Sequence, residues 1–188
     1  MAVKRILRYL KGTIDYGLMY SKNGKNDKMI TGYSDADWAG DVNDRKSTSG
    51  YLFMVSGAPV SWKSKKQTCV ALSTAEAEYV ALANAAQEVV FLRELFKDLH
   101  HKQTEPTIIH EDNQAAICIA ESPQHHSKTK HIDIKYHYVR EKVLDNTIKL
   151  NSCPTNEMLA DMLTKGLSKD KFAGLRKMTG ITEMSACE

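Results

Sequence analysis

The stretch SGYLFMVSGAPVSWKSKK, residues 49–66, contains two extended runs that meet at Ala58-Pro59. The run MITGYSDADW, residues 29–38, lies upstream, begins as a strand and ends in acidic residues. Aromatic and β-branched residues fill these runs, and turn-forming residues separate them, as is typical of consecutive strands. The sequence therefore predicts an antiparallel meander of three strands.

A long amphipathic helix is predicted downstream, from Ser73 to about Leu99. Apolar residues recur there at three- and four-residue steps, which is the spacing of one helix face. After Pro106, the pattern predicts a buried strand at 107–110. The elements predicted after this strand are helices at 113–120 and 131–144, a strand at 147–150 and a last helix at 157–165. This order of strands and helices favours a mixed α/β sheet.

Composition excludes several classes of protein. The chain has 188 residues with 42% hydrophobic and 26% charged side chains, which is typical of one ordinary globular domain with a short appendage. No apolar stretch approaches the ~20 residues that a bilayer requires, and the basic N-terminus lacks the features of a secretory signal. The net charge of +3 is too small to identify a nucleic-acid binder by itself. The four cysteines are widely spaced, so we expect free thiols and neither a zinc site nor a disulfide framework.

Four carboxylates lie where helix or strand propensity and packing would not select an acid. One such residue alone is usually a turn or cap residue. Together they form the oxygen-ligand set that Mg²⁺ prefers, and two such ions about 3.5–4 Å apart can promote phosphodiester displacement. The four candidates come from separate elements and are Asp35, Glu78, Asp112 and Asp161.

The long helix offers two acids, and their positions predict different roles. Ser73 and Glu76 fit a capping box, in which Glu76 reaches back to the backbone of Ser73. Glu78 lies too deep in the helix to cap it and projects near the stripe that carries Leu82. A carboxylate on that stripe is costly unless it is paired or bound to metal, so Glu78 is the better ligand.

Five blocks of the chain resemble, in order and spacing, the ribonuclease H domain of copia-type LTR-retrotransposon Pol polyproteins. The resemblance covers about residues 30–168, and its blocks are GYSDADWAGD, STSGYLFMVSGAPVSWKSKKQTCVALSTAEAEYVAL, HEDNQAAI, KHIDIKYHYVRE and LADMLTK. The opening block KRILRYLKGTIDYGLMY is similar to the segment that joins reverse transcriptase to ribonuclease H in those polyproteins. The resemblance divides the chain into a reverse transcriptase connection (1–28), a ribonuclease H domain (29–168) and a tail (169–188) with a short helix near 172–178.

The resemblance implies a ribonuclease H-like α/β fold, a five-stranded mixed sheet with three antiparallel strands and then parallel ones, flanked by helices. It implies hydrolysis of the RNA strand of RNA–DNA hybrids with two Mg²⁺ ions, or Mn²⁺. The catalytic and metal-binding set would be Asp35, Glu78, Asp112 and Asp161, with Asp37 and Asp41 as alternatives for the first ligand.

Substrate contacts follow partly from the resemblance and partly from charge. Gln114 matches a polar residue that touches substrate in the family. Lys63, Lys65 and Lys66 offer cations for phosphates without a neighbouring acid, although lysines also serve to protect an exposed strand edge. Further cations are expected from Arg45, Lys46, Lys128 and Lys130.

The chain departs from cellular ribonucleases H in two ways. The stretch 151–156 lacks the histidine that many of them carry before the last helix, and His125, His126 or His131 would have to approach from elsewhere. Residues 74–77 replace an asparagine pair that reads 2′-hydroxyls in some relatives. Two alternatives therefore stay open: a catalytically inactive hybrid-binding or tethering remnant of a retroelement, and another nuclease of the same superfold, such as an integrase or junction resolvase.

The expected partners are an RNA–DNA hybrid and the reverse transcriptase portion of the same polyprotein, with no membrane. The resemblance implies an intracellular location, in a cytoplasmic virus-like particle and also in the nucleus.

Overall fold

The computed structural model describes residues 2–21, 29–122 and 130–184. The helices and strands follow one another along the described residues in the order α1 (Ala2–Lys11), β1 (Tyr16–Leu18), β2 (Thr31–Asp37), β3 (Thr48–Val55), β4 (Ala58–Lys66), α2 (Thr74–Asp98), β5 (Thr107–Glu111), α3 (Gln114–Glu121), α4 (Lys130–Leu144), β6 (Ile148–Ser152), α5 (Asp161–Thr164), α6 (Lys169–Met178) and β7 (Ile181–Glu183). No helix among the described residues is long and apolar enough to cross a bilayer.

The main sheet has five strands in the order β4-β3-β2-β5-β6. β2, β3 and β4 pair antiparallel as a meander, whereas β5 pairs parallel with both β2 and β6. The predicted fold class, with three antiparallel strands followed by parallel ones and helices on the flanks, is confirmed. The parallel pairing of β2 with β5 requires a crossover, and α2 lies in that connection.

The helix α2 forms the centre of the main core because its apolar stripe is buried against the sheet. Tyr79, Leu82 and Val89 are fully buried and pack with Phe53 of β3 and Ile109 of β5. Burial of side chains of this size contributes about 1.5–3 kcal/mol each. This packing fixes the helix, and with it the acids that the helix carries.

The N-terminus of α2 is capped almost as the sequence predicts. The Ser73 hydroxyl accepts a hydrogen bond from the backbone N–H of Glu76 at 3.2 Å. The Glu76 carboxylate, however, accepts from the N–H of Leu72 at 2.7 Å, one residue before the predicted Ser73. Glu76 is thus structural, and its contact satisfies the chain just outside the helix.

The last predicted helix is shorter than the pattern indicates. Helix was predicted over 157–165, but α5 covers only Asp161–Thr164 and turns precede it. Buried side chains on successive residues pack in different directions, since Met158 packs beside Cys153 whereas Leu159 packs against Leu52. The chain therefore buries these two neighbours in separate clusters while it runs through turns, and the helix begins only at Asp161.

The two ends of the described chain meet in a second sheet. β1 and β7 pair antiparallel, with Leu18 opposite Ile181. α6 leads into β7, and its Leu175 is buried against Leu52 and Leu159 beneath the main sheet. The division of the chain at residues 28 and 168 stays a prediction, but β1 and β7 lie together.

Gly50 allows α5 to approach the sheet closely. It lies opposite Asp35 in the β2–β3 register. An added Cβ at this position would lie 2.7 Å from Cγ2 of Thr164 and 3.0 Å from Cβ of Leu163. Because Gly50 has no side chain, the residues of α5 can lie close to β3 and over the end of β2.

We expect Gly50→Ala to lower the free energy of unfolding by about 1–3 kcal/mol, because the new methyl group forces α5 away from β3. Urea denaturation measures this change. Gly174→Ala is the matched control, since a Cβ there meets no atom within 4 Å. It should raise stability by up to about 1 kcal/mol through helix propensity. A Gly50→Ala protein as stable as the wild type would contradict this account of the close approach.

Candidate active site

Three of the four predicted acids converge at one edge of the main sheet. Asp35, Glu78 and Asp112 each offer a carboxylate oxygen, and these atoms lie within 4.8 Å of one another. Asp35 lies near the carboxyl end of β2, and Asp112 directly follows the neighbouring parallel strand β5. Glu78 reaches the same edge from the second turn of α2. The sequence elements therefore bring three carboxyl groups together from three directions.

The electrostatic environment of Glu78 disfavours its charged form. Burial, together with the negative charges of Asp35 and Asp112, raises the pKa of Glu78 to about 9, against a hydrogen bond from the Ala36 N–H. Among the described residues, Oε2 of Glu78 is buried and has no hydrogen-bond partner. Burial likewise raises the pKa of Asp35. A buried oxygen without a partner, beside two further carboxylates, fits a hard divalent cation such as Mg²⁺ or Mn²⁺.

Asp161 is buried but does not join the three converging acids. Its Oδ1 lies 2.8 Å from Nζ of Lys165, and its other carboxylate oxygen contacts Nζ of Lys171. Although burial opposes the charged form, hydrogen bonds from these two lysines lower the pKa of Asp161. Nζ of Lys165 also lies 2.9 Å from Oδ1 of Asp35, and the Thr164 hydroxyl donates to Oδ2 of Asp35. The fourth acid is therefore linked to Asp35 through a lysine bridge formed by Lys165.

Glu111 is a fifth acid of this region, and the sequence reasoning missed it. Its side chain is fully buried. Burial, followed by the charge of Glu78, raises the pKa of Glu111 well above its ordinary value, while the Asn113 N–H donates to the carboxylate. The alternation along β5 could have indicated that Glu111 is buried, because Thr107 and Ile109 are buried and Glu111 lies on the same face of the strand.

The two alternatives for the first ligand have structural partners in the loop after β2 and at the adjoining ends of β3 and β4. The Asp37 carboxylate accepts a hydrogen bond from the Thr48 N–H. Asp41 accepts from the Asn43 N–H at 2.8 Å and pairs with Lys66 at 2.6 Å, and the hydrogen bond from Lys66 lowers the pKa of Asp41 to about 2. Asp35 is the member of this set that lies with Glu78 and Asp112.

The predicted substrate lysines separate into two groups. Lys63 and Lys65 line a cleft of about 100 Å³ with Asn84 of α2 and Lys135 of α4. Within the described part of the chain, neither Lys63 nor Lys65 forms an ion pair. Lys66 also borders the cleft, but its ammonium is paired with Asp41 at 2.6 Å and with Asp44 at 2.8 Å.

Of the remaining residues predicted to contact substrate, only some have described side chains. Gln114 begins α3, and its amide donates to the Ser152 hydroxyl beside the acids. Lys46 lies 3.9 Å from Asp44 in the loop after β2, next to Arg45. The other predicted groups lie outside the described residues or have side chains that are not described; these are His125, His126, Lys128, Lys130 and His131.

Sequence comparison identifies relatives that match nearly the whole chain. The chain is 44% identical over 180 residues to the retrovirus-related Pol polyprotein from transposon TNT 1-94 of Nicotiana tabacum. This match covers 96% of the chain and 13% of the relative. The chain is 40% identical over 183 residues to the Pol polyprotein from transposon RE1 of Arabidopsis thaliana, covering 97% of this chain and 12% of the relative. The chain is homologous to copia-type retrotransposon Pol polyproteins. It thus spans about an eighth of these copia-type relatives. No family model matches the chain.

Structural comparison agrees with the copia-type assignment at the level of the fold. The structure of LC11-RNase H1, solved in complex with an RNA/DNA hybrid, superposes with a TM-score of 0.53 at 14% sequence identity. The match covers 72% of the chain and 93% of LC11-RNase H1. The chain therefore has the ribonuclease H fold that its sequence blocks predict.

The raised pKa of Glu78 predicts how stability depends on pH without divalent ions. The group is protonated in the folded state up to about pH 9 but ionises near pH 4.5 when unfolded. The folded state therefore binds more protons across this interval, and stability falls as pH rises through it, by up to about 1.4 kcal/mol per pH unit for each such proton. Denaturation in EDTA at a series of pH values measures the slope.

We expect Glu78→Gln to reduce this slope, because the amide needs no proton to remain neutral. Glu111→Gln provides a comparison, since burial shifts the pKa of Glu111 in the same direction. Wild-type protein whose stability is constant or rises between pH 5 and pH 9 would contradict the predicted protonation of these groups.

Proposed function

We propose that the chain is a metal-dependent endonuclease that hydrolyses the RNA strand of RNA–DNA hybrids during retrotransposon reverse transcription. The observation that carries this proposal is the meeting of the buried Asp35 and Glu78 with the half-buried Asp112 at the ends of β2 and β5 in a ribonuclease H fold. The hybrid bound by LC11-RNase H1 supports the choice of substrate.

The residues that would hold two Mg²⁺ ions, or Mn²⁺, are Asp35, Glu78, Asp112 and Asp161. Ions of this kind, when bound, lower the pKa of an attacking water and stabilise the leaving 3′-oxygen. Glu78 must release its proton to become a ligand, since burial holds its pKa at about 9. The Thr155 hydroxyl donates to Oδ2 of Asp112 at 2.9 Å and so orients this carboxylate.

The lysine cleft is proposed to hold phosphates of the hybrid. Gln67 ties the end of β4 to α2, because its amide donates to the Ala77 carbonyl at 2.9 Å and to the Ser49 hydroxyl at 2.9 Å. Ala77 precedes Glu78, so the cleft is held at a fixed distance from the acids. We propose that Lys63 and Lys65 contact the backbone there, that Lys66 contributes less, and that Gln114 touches substrate beside Asp112.

Selectivity for RNA would come from contacts to 2′-hydroxyls in the wide minor groove of an A-like hybrid rather than from reading bases. The reverse transcriptase portion of the same polyprotein is the proposed protein partner, on the basis of the Pol relatives. Location in a cytoplasmic virus-like particle, and also in the nucleus, is proposed on the same basis.

The decisive experiment incubates a labelled RNA–DNA hybrid with the protein and Mg²⁺ or Mn²⁺. We expect cleavage of the RNA strand, and we expect Asp112→Asn to lower the rate by more than about 100-fold because it removes a charged ligand of the site. Asp98→Asn, at the exposed end of α2, is the control and should cleave as the wild type does. If the wild type shifts the hybrid in a gel but leaves the RNA intact in both metals, the chain is a binding remnant and the enzyme proposal is wrong.

Salt dependence tests the lysine cleft separately from cleavage. With catalysis blocked by Asp112→Asn, we expect the added change Lys63→Gln/Lys65→Gln to reduce the slope of log affinity against log salt by about 1.5, since each lost phosphate contact removes ~0.7–0.9. Fluorescence anisotropy with a labelled hybrid measures this slope. Lys66→Gln is the matched control and should change it less, because Asp41 and Asp44 already neutralise Lys66. Equal slopes for all three proteins would show that phosphates do not enter this cleft.

A further inference from the structure

Two lysines occupy one side of the acid cluster. Nζ of Lys165 lies 2.9 Å from Oδ1 of Asp35 and 2.8 Å from Oδ1 of Asp161, and Lys171 contacts the second oxygen of Asp161. The side chains of Asp35 and Asp161 are fully buried, whereas 35% of the Lys165 side chain and 32% of the Lys171 side chain remain exposed. The ammonium groups therefore close the Asp35–Asp161 side of the cluster from its solvent edge.

The other side of the cluster lacks a cation in contact. Glu78 accepts a hydrogen bond from the Ala36 N–H, and Asp112 accepts one from the Thr155 hydroxyl. The buried Oε2 of Glu78 has no partner among the described residues. The cluster is thus asymmetric: positive charge is already supplied at Asp161, and it is missing between Glu78 and Asp112.

We propose that Lys165 and Lys171 are resident cations of the Asp35–Asp161 half, so that a divalent ion enters the Asp35–Glu78–Asp112 half first. An ion reaches Asp161 only when Lys165 moves away. This inference rests on the proposed function, because it takes the four acids as metal ligands. An ion bound to Asp35 and Asp161 at the ~2.0–2.1 Å that Mg²⁺ requires would need the oxygens that Lys165 now contacts.

Like-charge repulsion makes occupancy by the ion and by the ammonium mutually exclusive. The flexible four-carbon stem of Lys165 allows the ammonium to withdraw toward solvent, where a third of the side chain already lies. A phosphate of a nucleic acid offers an anion that can take the place of Asp35 and Asp161 as its partner. The second ion and the substrate phosphate are therefore expected to be coupled through Lys165.

Lys171 brings the C-terminal segment into the site. It lies in the first turn of α6, where the Ser168 hydroxyl accepts a hydrogen bond from its backbone N–H at 3.4 Å. Leu175, one turn later, anchors α6 in the core beside Leu159. Lys171 is therefore a positioning residue that holds Asp161 from outside the main sheet.

The test is a Mn²⁺ titration of the 188-residue chain, followed by electron paramagnetic resonance of the free ion and without substrate. We expect wild type to bind one ion more tightly than the second. Removal of a unit positive charge in contact with Asp161 should strengthen the second site by about tenfold or more in Lys165→Met. Lys171→Met should show a smaller gain, and Lys169→Met, which alters an exposed lysine at the start of α6, should match the wild type.

Thermal melting gives a second readout that does not involve activity. In EDTA, Lys165→Met and Lys171→Met should melt at lower temperature than wild type, because buried Asp161 loses a cation. Saturating Mn²⁺ should raise their melting temperatures more than it raises that of wild type. If Lys165→Met does not fold, Lys171→Met decides the question with the same two measurements.

The failures are distinguishable. If Mn²⁺ binds wild type, and Asp112→Asn weakens it, while the lysine variants bind the second ion no more tightly than wild type, the lysine inference alone is wrong. If wild type binds no Mn²⁺, or if Asp112→Asn binds as wild type does, the metal site of the proposed function is wrong and the lysine inference falls with it.

Discussion

The arrangement of this protein depends on neutralising carboxylates that are gathered in a buried place. Asp35, Glu78 and Asp112 converge within 4.8 Å, and the fully buried Glu111 and Asp161 lie beside them. Ionised groups so close together in a low-dielectric interior repel one another strongly. Lysine ammonium groups meet this constraint at Asp161, and burial raises the pKa values of Glu78 and Glu111, which favours their neutral forms.

The scaffold that enforces this convergence is made of small residues as much as of large ones. Ala36 of β2 packs with Ala77 and Ala81 of α2, and all three are buried. Side chains of this size let the helix axis come close to the end of β2, and Glu78 projects from that point of contact. Gly50 does the same for α5 on the neighbouring strand. Large side chains such as Tyr79 and Phe53 then fix the elements in place from the core.

Periodicity and spacing predicted most of the fold because the elements that carry them are long and regular. The meander and α2 follow from alternation and from the three- and four-residue apolar steps, and Glu78 was separated from Glu76 by its depth in the helix. The last helix was predicted to begin too early because Met158 and Leu159, which lie before α5, pack into two separate clusters that a linear pattern does not reveal. Glu111 was missed because only the strand alternation of β5 marks it as buried, and no motif or spacing does.

The lysine bridge illustrates what a sequence pattern cannot supply. Lys165 follows Asp161 at the four-residue spacing of a helical ion pair, so one of its contacts is local. Its contact with Asp35 joins residues 130 positions apart, and only the placement of α5 over Gly50 creates it. No sequence pattern indicates the contact of Lys171 with Asp161, since this contact depends on where α6 packs.

The charge balance at Asp161 depends on both ends of the described chain. β7 follows α6 and pairs with β1, and the Met19 N–H donates to the Gly180 carbonyl at 2.9 Å. The Ser21 N–H donates to the Ser56 carbonyl at 2.8 Å, in the turn between β3 and β4. The segment after β1 therefore ties the turn of the main sheet to the strand that follows α6. Because α6 carries Lys171, the pairing of β1 with β7 connects the N-terminal segment to the helix that holds a cation against Asp161.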